Sequence, residues 1–168
     1  MILAVFLALA LPPSVHPWPI GNGPGFHLAS GPAPAHCVRG QRYGAHIELF
    51  VRRQVLIVPA GIGVARPWRE HLARITPSGC TAAARTLEPT GVIELTRPLT
   101  LGAFFRIWGQ RLGPSRIAGF RGRVAAFVGG RRWRGDPRRI LLTRHAQVVL
   151  ELGGELPPHP RYLFPPGL

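Results

Sequence analysis

Apolar residues change their spacing several times along this chain, and each change marks an element. His46 to Val51 (HIELFV) alternates, and Val55 to Val58 (VLIV) is a second β-branched run after Arg52-Arg53-Gln54. Together they predict a hairpin, which Pro59 and Gly61 stop. Ala60 to Gly79 holds no sustained period; a single helical turn is expected around Pro67 to Ala73, because Pro67 suits a first helical position. Thr81 to Thr86 and Val92 to Thr96, on either side of Pro89-Thr90-Gly91, predict a second, weaker hairpin. The period then turns helical. Leu101, Phe104, Phe105, Trp108 and Leu112 form one stripe, so a helix is expected over Leu101 to Leu112 with Thr100 as its cap. Arg123 to Val128 and Arg131 to Arg134 flank Gly129-Gly130, the pair that best satisfies the positive φ angles of a two-residue hairpin turn. Gly135-Asp136-Pro137 turns again, and Val148 to Leu152 supplies the last strand.

Two early strands, one amphipathic helix and two or three later strands predict an α+β fold: a β-grasp-like mixed sheet wrapping one helix, with the hairpin between the second strand and the helix as an insertion. The helix stripe is expected to face the sheet. Residues 1–13 read as a signal-like apolar segment, 14–36 as a Pro/Gly-rich linker, 37–153 as a single α+β domain, and 154–168 as a Pro-rich C-terminal tail. No internal repeat is visible.

The opening run, Met1 to Leu11, is eleven apolar residues followed by Pro12 and Pro13. A bilayer span needs about 20 residues, so the run is too short to cross, but it fits the apolar core of a secretory signal. Ala8-Leu9-Ala10 has the small-x-small form of a cleavage site, although no basic residue precedes the run; a buried first element is the alternative. Cys37 and Cys80 are the only cysteines. In an oxidising compartment an even pair reads as a disulfide, with two buried thiols as the alternative. A secreted, periplasmic or envelope-associated location is therefore expected.

Charge changes the picture further. The chain carries 21 basic residues against seven acidic ones, a net +14, and every basic residue is arginine. Lysine chemistry is thereby excluded. An all-arginine, Ala/Gly/Pro-rich composition is also what the coding sequence of a high-GC bacterium yields, so the charge has two readings, codon bias or an anionic partner.

Several phrases resemble an uncharacterised family of exported bacterial proteins with FVNG/VPAGIG, LHTHD, TLGxFFxIWG and GDPRxIxL phrases. They are Phe50 to Gly63 (FVRRQVLIVPAGIG), Thr100 to Gly109 (TLGAFFRIWG), Gly135 to Leu142 (GDPRRILL) and the closing Pro165 to Leu168. The family's histidine phrases are mostly missing. Where relatives carry H-x-H-x-H-L, this chain reads Arg42-Tyr43-Gly44-Ala45-His46-Ile47, and Cys80 to Glu94 keeps the cysteine and glycine but no histidine. Imidazoles alternating along a strand share a face, so the resemblance implies a transition-metal site reduced here to His46, Glu88 and Glu94, with Arg85 opposing a cation.

Other chemistry is sparse. Asp136 is the only aspartate and is explained by its turn. The remaining histidines lack H-x-x-x-H spacing. The strand glutamates Glu48, Glu88, Glu94 and Glu151 are expected on solvated faces, and no serine sits in a nucleophile-elbow phrase. The densest basic cluster is Arg131-Arg132-Trp133-Arg134 with Arg138-Arg139. Arg132, Arg134, Arg138 and Arg139 are the candidate polyanion-binding residues, for an anionic envelope polymer, lipid or nucleic acid; a solvated sheet face above a buried Trp133 is the alternative. No small-molecule site or resident cofactor is evident beyond the metal just weighed. The reading that results is an exported non-catalytic binding or scaffold module of the cell envelope. A metal-binding (copper, zinc or iron) protein is one alternative, and a polyanion-binding basic surface is a further one.

Overall fold

The computed structural model describes residues 32–168, so the signal-like segment and most of the linker lie outside the described residues. In chain order the elements are β1 (Tyr43–Val51), β2 (Gln54–Val55), β3 (Trp68–His71), β4 (Arg74–Pro77), β5 (Ala84–Arg85), β6 (Val92–Leu95), β7 (Leu99–Thr100) and α1 (Leu101–Trp108). There follow β8 (Leu112–Gly113), β9 (Arg116–Ile117), β10 (Phe120–Arg121), β11 (Val124–Val128), β12 (Arg131–Trp133), a 3-10 turn at Pro137–Arg139, β13 (Leu141–Leu142) and β14 (Gln147–Leu152). The fold is mixed α+β, mostly sheet, with one α-helix among the described residues.

The main sheet runs β12-β11-β14-β1-β6-β5, with β2 paired to the end of β1. Its two long middle strands, β1 and β14, are parallel, while β11, β12, β5 and β6 pair antiparallel. A strand buried on both faces reads as a continuous apolar run, and β14 (QVVLEL) is buried along its whole length. One sheet face carries Ile47, Leu49, Val51, Ile93, Leu95, Val148 and Leu150 into a single core with Leu101, Phe104, Phe105 and Trp108 of α1. Thr100 caps the helix, its hydroxyl accepting from the Ala103 amide at 3.2 Å.

The helix is shorter than its stripe predicts. It ends at Trp108 because Gly109 takes a left-handed conformation (φ 76°) that closes the C-terminus, and Leu112 enters the core from β8 instead. The helical turn expected at Pro67 to Ala73 is a correction of kind: the segment is the β3–β4 hairpin. Leu72 and Ala73 form its turn at positive φ, and Ile75 is buried with Ala60, Val64 and Leu87 under Trp68. Burial of that small cluster outweighs local helix preference. The β3–β4 hairpin stands apart from the main sheet, whereas β6 from the second predicted hairpin is one of its strands.

Cys37 and Cys80 are disulfide-bonded. Next to the bridge, the Arg42 guanidinium donates to the carbonyls of Val38 (3.2 Å) and Ala82 (2.9 Å) and to the Thr81 hydroxyl (3.0 Å). Burial, then the nearby Arg85, lowers its pKa. A guanidinium supplies enough donors to satisfy several such acceptors, so it serves as the polar filling of this corner. No helix among the described residues is long and apolar enough to cross a membrane.

Candidate functional site

The three residues of the expected metal set lie at one side of the sheet, each with its own partner. His46 is buried on β1, on the face turned away from α1. Its Nε2 donates to the Thr90 carbonyl at 2.8 Å and its Nδ1 lies 2.7 Å from Oε1 of Gln147. Gln147 in turn donates to Glu48 at 3.1 Å, which orients its amide oxygen toward the imidazole. An Nε2 that donates has no lone pair for a cation, and Nδ1 is covered by the Gln147 amide. Glu88 is paired with Arg74, and Glu94 with Arg85 at 2.6 Å. Glu88 and Glu94 do border one pocket of about 250 Å³, with Tyr162 and the closing residues of the chain. Among the described residues, no three His, Cys, Asp or Glu side chains are grouped to hold a metal ion.

The C-terminal segment lies along this outer face, a placement sequence reasoning does not foresee. Tyr162 stacks on His46 with ring centroids 3.7 Å apart, Phe164 stacks on His145, and His159 pairs with Glu48 at 2.9 Å. Gly44 makes the seat: a Cβ there would come within 2.5 Å of the Phe164 ring. Along the segment Tyr162 and Phe164 are half-buried while Leu163 between them is exposed, so alternate side chains face the sheet.

Glu151, expected on a solvated strand face, is instead 1% exposed. One oxygen accepts from the Leu156 amide at 3.2 Å, and Oε1 has no partner. Burial first, and then the neighbouring Glu155, raise its pKa. The folded state therefore holds this proton to higher pH than the unfolded chain. The resulting stability is fully present below the ordinary glutamate range and is lost as pH rises through the raised value. Glu151→Gln is expected to gain stability relative to the parent at about pH 8 but little at about pH 4, measured by denaturant unfolding. An equal effect at both values would contradict the assignment.

The basic cluster is only partly free. Arg132 pairs with Glu155 at 2.7 Å, and Arg138 is clamped by Asp136, whose carboxylate also caps the 3-10 turn by accepting from the Arg138 amide at 2.9 Å. The hydrogen bond from Arg138 is the main reason the Asp136 pKa is lowered. Arg131, Arg134 and Arg139 are exposed and form no ion pair with the described residues. Trp133 is not buried beneath them: it is 38% exposed, its indole N–H donating to the Asp136 carbonyl at 3.2 Å. The strand is an edge of the sheet, with no further strand beside it among the described residues. Comparison with protein-family models, curated proteins and solved structures gives no match to this chain.

Proposed function

We propose that this chain is an exported, non-catalytic binding module of the cell envelope that holds an anionic polymer on its arginine surface. The observation that carries this reading is uncompensated charge. Seven acidic residues face 21 arginines, and Asp136, Glu88, Glu94 and Glu155 are already engaged by Arg138, Arg74, Arg85 and Arg132. Arginines such as Arg131, Arg134 and Arg139 remain for a partner, and guanidinium forks match oxyanions well.

Export is supported by the signal-like opening, the disulfide and the resemblance to exported bacterial proteins. The same reading takes the fold as β-grasp-like, on the parallel first and last long strands at the middle of the sheet and the helix across one face. The β3–β4 hairpin then takes the place of the insertion.

The test is chromatography of the disulfide-bonded protein on immobilised heparin. Retention at about 0.05 M salt with elution as salt rises is expected, because binding to phosphate or sulfate chains releases counterions. Passage without retention at that salt would overturn the reading and leave codon bias as the origin of the charge.

A further inference from the structure

We infer that the anionic polymer is seated in a cleft beside the predicted cluster, with which it shares only Arg138, and that the ligand is a linear, base-free phosphate chain. The inference rests on the polyanion reading above and gives it a site and a chemical class. The cleft has a volume of about 800 Å³ and lies between the end of α1 and the small β8–β9–β10 sheet. Arg106 comes from the last turn of α1, Arg111 from the connection that follows, Arg116 from β9 and Arg121 from β10, and all four line it. None of them forms an ion pair or side-chain hydrogen bond with a described residue, and no Asp or Glu lines the cleft. The only further arginine there is Arg138, already held by Asp136.

The register makes the arrangement more than a charged surface. Arg121 is directly opposite Arg116 across the β9–β10 pair. Like charges at directly opposed strand positions destabilise a sheet, and here no acid relieves them. An oxyanion between the two guanidiniums would convert that repulsion into two charge-assisted contacts. Gln110 and Ser115, also in the lining, add neutral donors.

Two features narrow the ligand. The site is concave, so a chain can enter it while a flat lipid surface meets only its rim. Its one aromatic among the described residues, Phe105, is 1% exposed and packed into the core, so among these residues no ring is offered for a base to stack on. Single-stranded nucleic acid is normally held by such stacking as well as by charge. A polyol phosphate or inorganic polyphosphate lacks bases and needs only the charges.

The experiment compares two charge-matched double variants, Arg116→Gln/Arg121→Gln in the cleft and Arg131→Gln/Arg134→Gln on the hairpin. The probes are linear inorganic polyphosphate, a glycerol phosphate polymer, oligo(dT) of similar length and anionic vesicles. The cleft variant is expected to bind polyphosphate roughly tenfold more weakly at about 0.1 M salt, with its log–log salt slope reduced by about 1.4, while the hairpin variant keeps the parental slope. The cleft variant is also expected to melt no lower than the parent without ligand, since it relieves the Arg116–Arg121 repulsion, which separates lost binding from lost fold. The parent should prefer either phosphate chain to oligo(dT) and to vesicles; affinity for only one chain identifies its source.

Equal losses in both variants, a larger loss on the hairpin, a lower melting point for the cleft variant, or preference for oligo(dT) or vesicles would each overturn the cleft assignment while the polyanion reading stands. Failure of the parent to bind any of the four probes would overturn both.

Discussion

Replacing Phe104 by alanine is expected to destabilise the protein by about 3–5 kcal/mol in denaturant unfolding, the range found when large aromatic side chains are removed from cores. Phe104 is fully buried in the centre of the helix face. Its ring meets Phe105 edge-on at 6.1 Å and tilts toward Trp108 at 6.2 Å, so its loss removes two aromatic contacts as well as buried area. The other side of the cavity would be β strands held by their own ladders, which can collapse little to refill it. A loss below about 1 kcal/mol would show that α1 does not anchor the sheet.

The second large effect concerns the disulfide. The bridge closes a sequence separation of 43 residues, for which the chain-entropy account predicts about 4 kcal/mol of stabilisation. Substituting both cysteines by serine should lower stability by about that amount, and the same loss should appear on reduction of the parent. The loop it closes contains β1 to β4, including the strand at the middle of the sheet, so the constraint acts on the unfolded chain over a large part of the domain. Free labelling of both thiols in the folded, unreduced protein would contradict the pairing, and with it much of the support for export.

How much of this was legible beforehand follows from where each element gets its stability. The α1 stripe, the Thr100 cap and the Gly129-Gly130 hairpin are local signals, and apart from the last turn of the helix, which Gly109 ends early, they read correctly because residues a few positions apart determine them. Gly129 and Gly130 do take positive φ (55° and 75°), as the turn requires. The Pro67 to Ala73 segment misreads because its outcome depends on Ile75 reaching a distant cluster with Leu87. Likewise, nothing local indicates that Tyr162 would cover His46, or that Glu151 would be buried.

The arginine surface divides in the same way. The hairpin cluster stands out because its arginines are adjacent in sequence, yet Arg132 and Arg138 there are engaged by carboxylates. Arg106, Arg111, Arg116 and Arg121 recur every five residues, a spacing that matches neither a helix nor a strand and so reads as scatter. Only the change from helix to short strands at Gly109 turns that spacing toward one cleft.

The central claim is that this surface binds a polyanion by charge, and the measurement that tests it most directly is the dissociation constant for linear polyphosphate between about 0.05 and 0.4 M salt. The account predicts a straight log–log dependence, with affinity falling steeply as salt rises in proportion to the number of phosphates neutralised. Affinity that stays constant across that range, or no binding at its low end, would contradict it.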